Sequence, residues 1–327
     1  MSRTASGAAF CRLLEQSQAS DVRQFVDPVV VKLVDPMLAV MASAGPMQDQ
    51  VLDSMAPGVY GGMVMRTRYI DEVVNAWAEM GKTQVVILGA GLDTRAYRLP
   101  SLAGVTVFEA DLPEIQRHKQ GRLHGLVSSA RAVRYVPIDF NTQPLDEALG
   151  AAGFDAGTPA LFVWEGVTQY LPEPAVRATL AYVAGSAPGS WLVFTYILDG
   201  LVGQNSYPGW SGALKQQFDS AEPWLFGLDP HHLSSFLDAF GLALLDDVGD
   251  AEYQDRYLNP IGRALVVSAG ERVALAVVRP SCGVNSGLTG ADPNKKQQPR
   301  RADEARRGCC GSSHVEVHGC SRSVDDR

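Results

Sequence analysis

Cysteine is nearly missing from the body of this chain: of five, only Cys11 precedes residue 280. A body with a single thiol builds no internal disulfide, which excludes the small stapled folds typical of secretion. Long hydrophobic runs are missing too. The most apolar early stretch, Val26 to Met41, is interrupted by Asp27-Pro28, Lys32 and Asp35-Pro36 and cannot span a bilayer. Met1 to Gln18 has no unbroken apolar core, so no secretory leader is read there, and a cytoplasmic protein without a membrane partner is expected. Basic charge is in short supply: 28 Lys and Arg against 36 Asp and Glu leave a formal −8. That balance argues against nucleic acid as a partner.

What is present is an alternation of strand and helix patterns in a chain whose 46% hydrophobic content is that of a globular domain. Near-continuous apolar runs predict buried strands at 85–88, 105–108, 132–138, 160–164 and 191–196. Helices are predicted at 113–126 and 174–186, each with proline in its first turn, and at 230–240. Ile70, Val73, Val74 and Trp77 give a further helix, with Gly81 just past its end. Such alternation predicts an α/β fold, a mostly parallel sheet with helices on both faces. Residues 263–268 and 272–278 flank Ala269-Gly270-Glu271 and read as a closing antiparallel hairpin. The expected organisation is a helical cap over 1–62 and a ligand-binding domain over 63–280 with an aromatic insert at about 200–230. The remainder, 281–327, holds eight Lys/Arg, six Asp/Glu and no aromatic residue, and is expected to be disordered.

The chemistry begins at Val85-Val86-Ile87-Leu88-Gly89-Ala90-Gly91-Leu92-Asp93-Thr94-Arg95. An apolar strand feeding two closely spaced glycines makes a turn whose bare backbone a ligand can approach. Taken alone, those glycines fit any α/β turn. About twenty residues later, Phe108-Glu109-Ala110-Asp111 ends the next strand in carboxylates suited to ribose hydroxyls. A dinucleotide site wants a third glycine where Thr94 stands. Asp93 would repel a pyrophosphate but attract the ammonium of an amino-acid moiety. S-adenosylmethionine is therefore favoured over NAD, with an NAD-type oxidoreductase as the competing enzyme and a non-catalytic cofactor sensor as the alternative from another class.

Four segments in order, 88–95, 108–113 with Lys119, Asp139-Phe140, and Trp164-Glu165-Gly166-Val167-Thr168-Gln169-Tyr170-Leu171, resemble the leucine carboxyl methyltransferase family, with its bacterial polyketide O-methyltransferases and actinobacterial members. The resemblance runs from about Arg66 to Val278 and implies a Rossmann-like class I methyltransferase fold. It implies that Gly89 and Gly91 line the methionine end of S-adenosylmethionine and that Asp111, assisted by Glu109, holds the ribose. Asp139 would accept from the adenine amino group, Phe140 would pack on the ring, and Glu165 would lie at the amino-acid and sulfonium end. Arg66 would grip the methionine carboxylate; a guanidinium fork matches that group. The family's early cofactor-contacting lysine has no counterpart before Lys32, and Arg12 is the substitute at hand.

The function expected is O-methylation of a small molecule, in polyketide-type secondary metabolism by the same resemblance. A carboxylate acceptor, ionised at neutral pH with a reference pKa of roughly 4, needs no general base, and the motifs carry no evident one. A hydroxyl or phenol is the alternative, with His231 or His232 as base; His118 and His124 read as solvated helix residues. Tyr170, Tyr196, Tyr207, Trp210 and Trp224 are candidates for the acceptor pocket, with Arg256 and Arg263 as possible carboxylate anchors. The tail ligands Cys309, Cys310, His314, His318 and Cys320 match no standard zinc spacing, and no metal is expected.

Overall fold

The computed structural model describes residues 3–42, 52–54, 56–140, 142–204 and 223–280. Seven strands form one sheet in the order β3-β2-β1-β4-β5-β7-β6. They are β1 (Gln84–Leu88), β2 (Thr106–Asp111), β3 (Ala132–Pro137), β4 (Leu161–Trp164), β5 (Trp191–Ile197), β6 (Leu242–Val248) and β7 (Glu271–Val278). β1 to β5 are parallel, whereas β7 runs antiparallel between β5 and β6. The order reverses between β1 and β4, so a crevice opens where the chain leaves these strands in opposite directions.

Side chains alternate across the sheet, as strand geometry requires. Val85, Ile87, Val107 and Val163 join one core with the helix Val59–Glu79, through Ile70, Val74 and Trp77. Val86, Leu88, Phe108 and Phe162 face the other core, filled by Leu149, Leu180 and Leu233 from helices Leu145–Ala151, Glu173–Ala184 and Pro230–Asp238. Burial on both faces explains why these strands read as unbroken apolar runs. The first helix, Arg3–Gln16, adds Ala9, Leu13 and Leu14 to the first core. By its contacts, Met1–Ser281 is one compact unit.

The antiparallel edge differs in one element from expectation. β7 pairs with β6, not with residues 263–268. That segment lies against the long helix instead: Ser268 donates its N–H to Gly58 O at 3.0 Å. A Cβ on Gly61 would stand 2.0 Å from Val266 O, so the contact needs glycine there. β6 carries Asp246-Asp247 just before its last residue, Val248, and a bulge between Leu244 and Asp246, which mask its period in the sequence. The predicted tail, including Cys309, Cys310, His314, His318 and Cys320, lies outside the described residues, as do Tyr207 and Trp210.

Candidate cofactor site

A cavity of about 510 Å³ sits over the carboxyl ends of β1 to β4. Its floor is the turn after β1. Gly89 and Gly91 have φ of 69° and 45°, a region that glycine enters without penalty. A Cβ on Gly89 would come within 2.4 Å of Val167 Cγ2, so a close approach also demands glycine at that point. Gly91 donates its N–H to Asp111 Oδ2 at 2.5 Å, and Leu112 N–H donates to Asp111 Oδ1 at 2.6 Å. The carboxylate ending β2 thus fastens the glycine turn while facing the cavity. Burial raises its pKa against the pull of those two donors.

At the far wall, Glu165 follows β4 and lies between two guanidiniums. Arg66 Nε donates to Glu165 Oε1 at 2.9 Å and Arg95 Nη1 to Oε2 at 2.7 Å. Arg66 is also held by both oxygens of Glu271, at 2.9 and 3.0 Å. Arg95 bonds Asp71 Oδ1 at 2.8 Å and the carboxylate of Asp93. Burial acts to raise both Asp93 and Glu165. The neighbouring cations outweigh it: Arg95, helped by Lys119 and Arg12, holds Asp93 at about 2, and Arg95 with Arg66 keeps Glu165 below the usual carboxylate range. Both stay ionised inside the protein.

The roof is the first helix. Ala5, Ala8 and Arg12, spaced three and four residues apart, turn one face to the cavity. Arg12 donates to Leu92 O at 2.6 Å, Thr94 Oγ1 at 2.9 Å and Asp27 Oδ2 at 3.2 Å, tying the helix to the glycine turn. Tyr170 meets Thr4 at 3.2 Å between hydroxyls, at the same rim.

Of the residues expected at the site, Arg66, Gly89, Gly91, Asp111, Asp139, Phe140, Glu165 and Tyr170 line this one cavity. Glu109 does not. It lies within β2 beneath helix Pro113–Arg122, where its carboxylate meets Lys119 Nζ at 2.6 Å with both side chains 1% exposed. Tyr196 is buried in the core beneath β5, its hydroxyl bonded to Asp247 at 3.0 Å. Trp224 packs with Ile197 and Leu201 in a cluster against which partly buried Tyr170 lies, and does not itself line the cavity. Arg256 pairs with Asp246, and Arg263 with Glu15, both away from the cavity. His231 and His232 are exposed; Asp229 caps their helix by accepting from His231 N–H and faces His232 Nδ1 at 2.9 Å. His118 is half-buried rather than solvated, its Nε2 enclosed without a protein partner among the described residues.

Sequence reading passed over the second layer: Asp27, Asp71, Arg98 and Glu271. Arg98 forks onto Asp71 with two bonds of 2.7 Å. Arg95 and Arg98, three apart on one helical turn, and Asp71, five residues after Arg66, were the available signals.

The sequence profile of leucine carboxyl methyltransferase matches residues 5–184. That is more than half of the chain. The protein belongs to the leucine carboxyl methyltransferase family. A relative from Mycolicibacterium gilvum, named "Putative S-adenosyl-L-methionine-dependent methyltransferase", is 42% identical over 144 residues, 43% of this chain and 47% of the relative. One of the same name from Mycolicibacterium smegmatis is 38% identical over 196 residues, 57% of this chain and 61% of the relative. The chain therefore matches about half of the length of such relatives. In fold, this family member is similar to a DUF574 family protein from Streptomyces avermitilis, with a TM-score of 0.53 and 15% identity, covering 85% of this chain and all of that one. A structure from Thermobifida fusca, named "putative methyltransferase", gives a TM-score of 0.52 and 17% identity, covering 84% of this chain and 98% of that one. The sheet order and these neighbours make the fold Rossmann-like, of the class I methyltransferase type. Among the described residues, no helix is long and apolar enough to cross a membrane.

Proposed function

We propose that this protein is an S-adenosylmethionine-dependent O-methyltransferase acting on a small molecule, with a carboxylate as the favoured acceptor. One observation carries the reading: Gly91, Asp111, Asp139 and Glu165, from four different strand ends, ring a single cavity. The donor set suits an adenosyl amino acid. Phe140, Leu112 and Ile115 offer apolar contact for a purine, Asp139 an acceptor for its amino group, and Asp111 its remaining lone pairs for ribose hydroxyls. Asp93 and Glu165 suit an ammonium. Arg66 reaches a carboxylate only by sharing its guanidinium with Glu165 and Glu271.

Bound there, S-adenosylmethionine supplies an already activated methyl: the acceptor lone pair forms the new bond to carbon as the carbon–sulfur pair returns to sulfur. The protein's task is alignment and exclusion of water. The roof helix covers the turn, and Leu171, Val167 and Ala8 make the remaining wall apolar. No histidine, lysine or cysteine lines the cavity among the described residues. The buried thiol of Cys11, pushed up to about 12 by its burial, is no base either. A carboxylate acceptor needs none, which favours ester formation over phenol methylation. The test is labelled-methyl transfer from S-adenosylmethionine into a cell extract. Label released as methanol by mild base supports the ester; base-stable label favours the phenol, and none at all overturns the catalytic reading.

A further inference from the structure

Position 94 is where a dinucleotide turn would carry its third glycine, and the threonine found there has a use of its own. Thr94 is the N-cap residue of the short helix Arg95–Arg98, a place where a threonine hydroxyl ordinarily accepts a backbone N–H. It makes no such cap. Its fully buried hydroxyl is bonded to three side chains instead. It accepts from Arg12 Nη1 at 2.9 Å and from Arg98 Nε at 3.0 Å, and donates to Asp27 Oδ2 at 2.6 Å. One donor and two lone pairs are all that a hydroxyl has, so its capacity is filled. Asp27 is fixed in turn, its Oδ1 accepting from the N–H of Val29 at 3.2 Å and of Val30 at 3.0 Å.

The roof helix Arg3–Gln16 has separate fastenings along its length. Its last turn is held by Glu15, which accepts from Gln24 N–H and the Tyr60 hydroxyl, both at 2.6 Å, and from Arg263 at 2.8 and 2.9 Å. Glu15 does not line the cavity. The turns that do, through Ala5, Ala8 and Arg12, reach the glycine turn by way of Arg12, bonded to Leu92 O and to the Thr94 hydroxyl. Thr94 and Asp27 stand behind that link, outside the lining.

We infer that Thr94 and Asp27 are positioning residues for the adenosyl ligand, holding Arg12 and with it the first turns of the roof over the glycine turn. The inference rests on the donor reading above and extends it to residues that the ligand does not touch. Thr94→Val keeps the shape of the side chain and removes the hydroxyl. Arg12, Arg98 and Asp27 each lose a buried partner, and the roof loosens where it covers the cavity while its last turn stays held by Glu15. The ligand then meets a site that is complete in only a fraction of the molecules, and its apparent affinity falls by that fraction.

The experiment compares the full chain as wild type, Thr94→Val and Thr94→Ser, by titration calorimetry with S-adenosylmethionine and by amide hydrogen exchange. Sinefungin, an analogue with an amine-bearing carbon in place of the sulfonium, is the ligand in the exchange runs. Thr94→Val should weaken S-adenosylmethionine binding at least about tenfold, while Thr94→Ser, which keeps the hydroxyl, stays within about threefold of wild type. In ligand-free Thr94→Val, exchange should rise at residues 7–12 and stay unchanged at 13–16. Exchange rising along the whole helix marks a merely structural role and overturns the inference. So does equal affinity of Thr94→Val and wild type, or an equal loss in Thr94→Ser; each leaves the donor reading intact. Binding of neither ligand by the wild type overturns the donor reading and the inference with it. Should Thr94→Val fail to fold, the wild type decides: sinefungin should slow exchange at residues 7–12 together with 91–96, and slowing at 91–96 alone overturns the inference.

Discussion

Two buried groupings of ion-paired side chains differ in their access to the cavity, and they are put to different uses. Lys119 and Glu109 form a closed pair at 2.6 Å, each side chain 1% exposed and neither lining the cavity. Arg66, Arg95, Asp93 and Glu165 form an open cluster whose carboxylates face that cavity, with the Glu165 side chain 16% exposed. The closed pair has no access to a ligand; its work is to fix helix Pro113–Arg122 against β2. The open cluster keeps anions charged in a place where burial alone would neutralise them. Similar chemistry thus serves packing in one place and, in the proposed function, recognition in the other, and exposure to the cavity separates the two.

Breaking the closed pair should give the largest loss of stability. Lys119→Met leaves Glu109 buried without its cation, a change that costs about 3–5 kcal/mol. Urea unfolding near neutral pH should show it, and the loss should shrink as pH falls and Glu109 takes up a proton. Affinity for S-adenosylmethionine in the folded fraction should stay within about threefold. On the cavity side the pattern reverses. Asp111→Ala should weaken donor binding by about 1.5–3 kcal/mol, the usual worth of hydrogen bonds to a charged group, read by titration calorimetry. Unchanged affinity would remove Asp111 from the site.

A smaller effect separates the two groupings by pH. Asp93 is lowered from 3.8 to about 2 in the folded protein. The stability it contributes is therefore present above about 3.8 and is lost as pH falls towards about 2. The gap in urea midpoint between the wild type and Asp93→Asn should be constant from pH 7 to 5 and close below pH 4. The smallest effect belongs to the exterior. Arg256 and Asp246, with side chains 41% and 27% exposed, form a partly solvated pair. Arg256→Ala should cost below about 1 kcal/mol and less in high salt.

The region legible in the sequence is the one where local chemistry and tertiary position coincide. Gly89 and Gly91 are turn residues by their own conformational freedom, and Asp111, Asp139 and Glu165 follow apolar strands, so strand ends alone bring them together. Glu109 was misplaced because an ideal period of two ignores the helix packed on β2, whose lysine claims the carboxylate. The partner of β7 was missed for a related reason. Proximity along the chain favoured 263–268, whereas β6 hides its pattern behind a bulge and two aspartates. The second layer of Asp27, Asp71, Arg98 and Glu271 depends on contacts between residues up to 205 positions apart, which no spacing announces.

The central claim is that one adenosyl ligand lies over the ends of β1 to β4. A crystal structure of the full chain with sinefungin tests it most directly. The account predicts density for the ligand between Asp111 and Glu165, its ribose at Asp111 and its charged end beside Asp93 and Glu165. A ligand bound elsewhere, or those carboxylates turned away from it, would contradict the account.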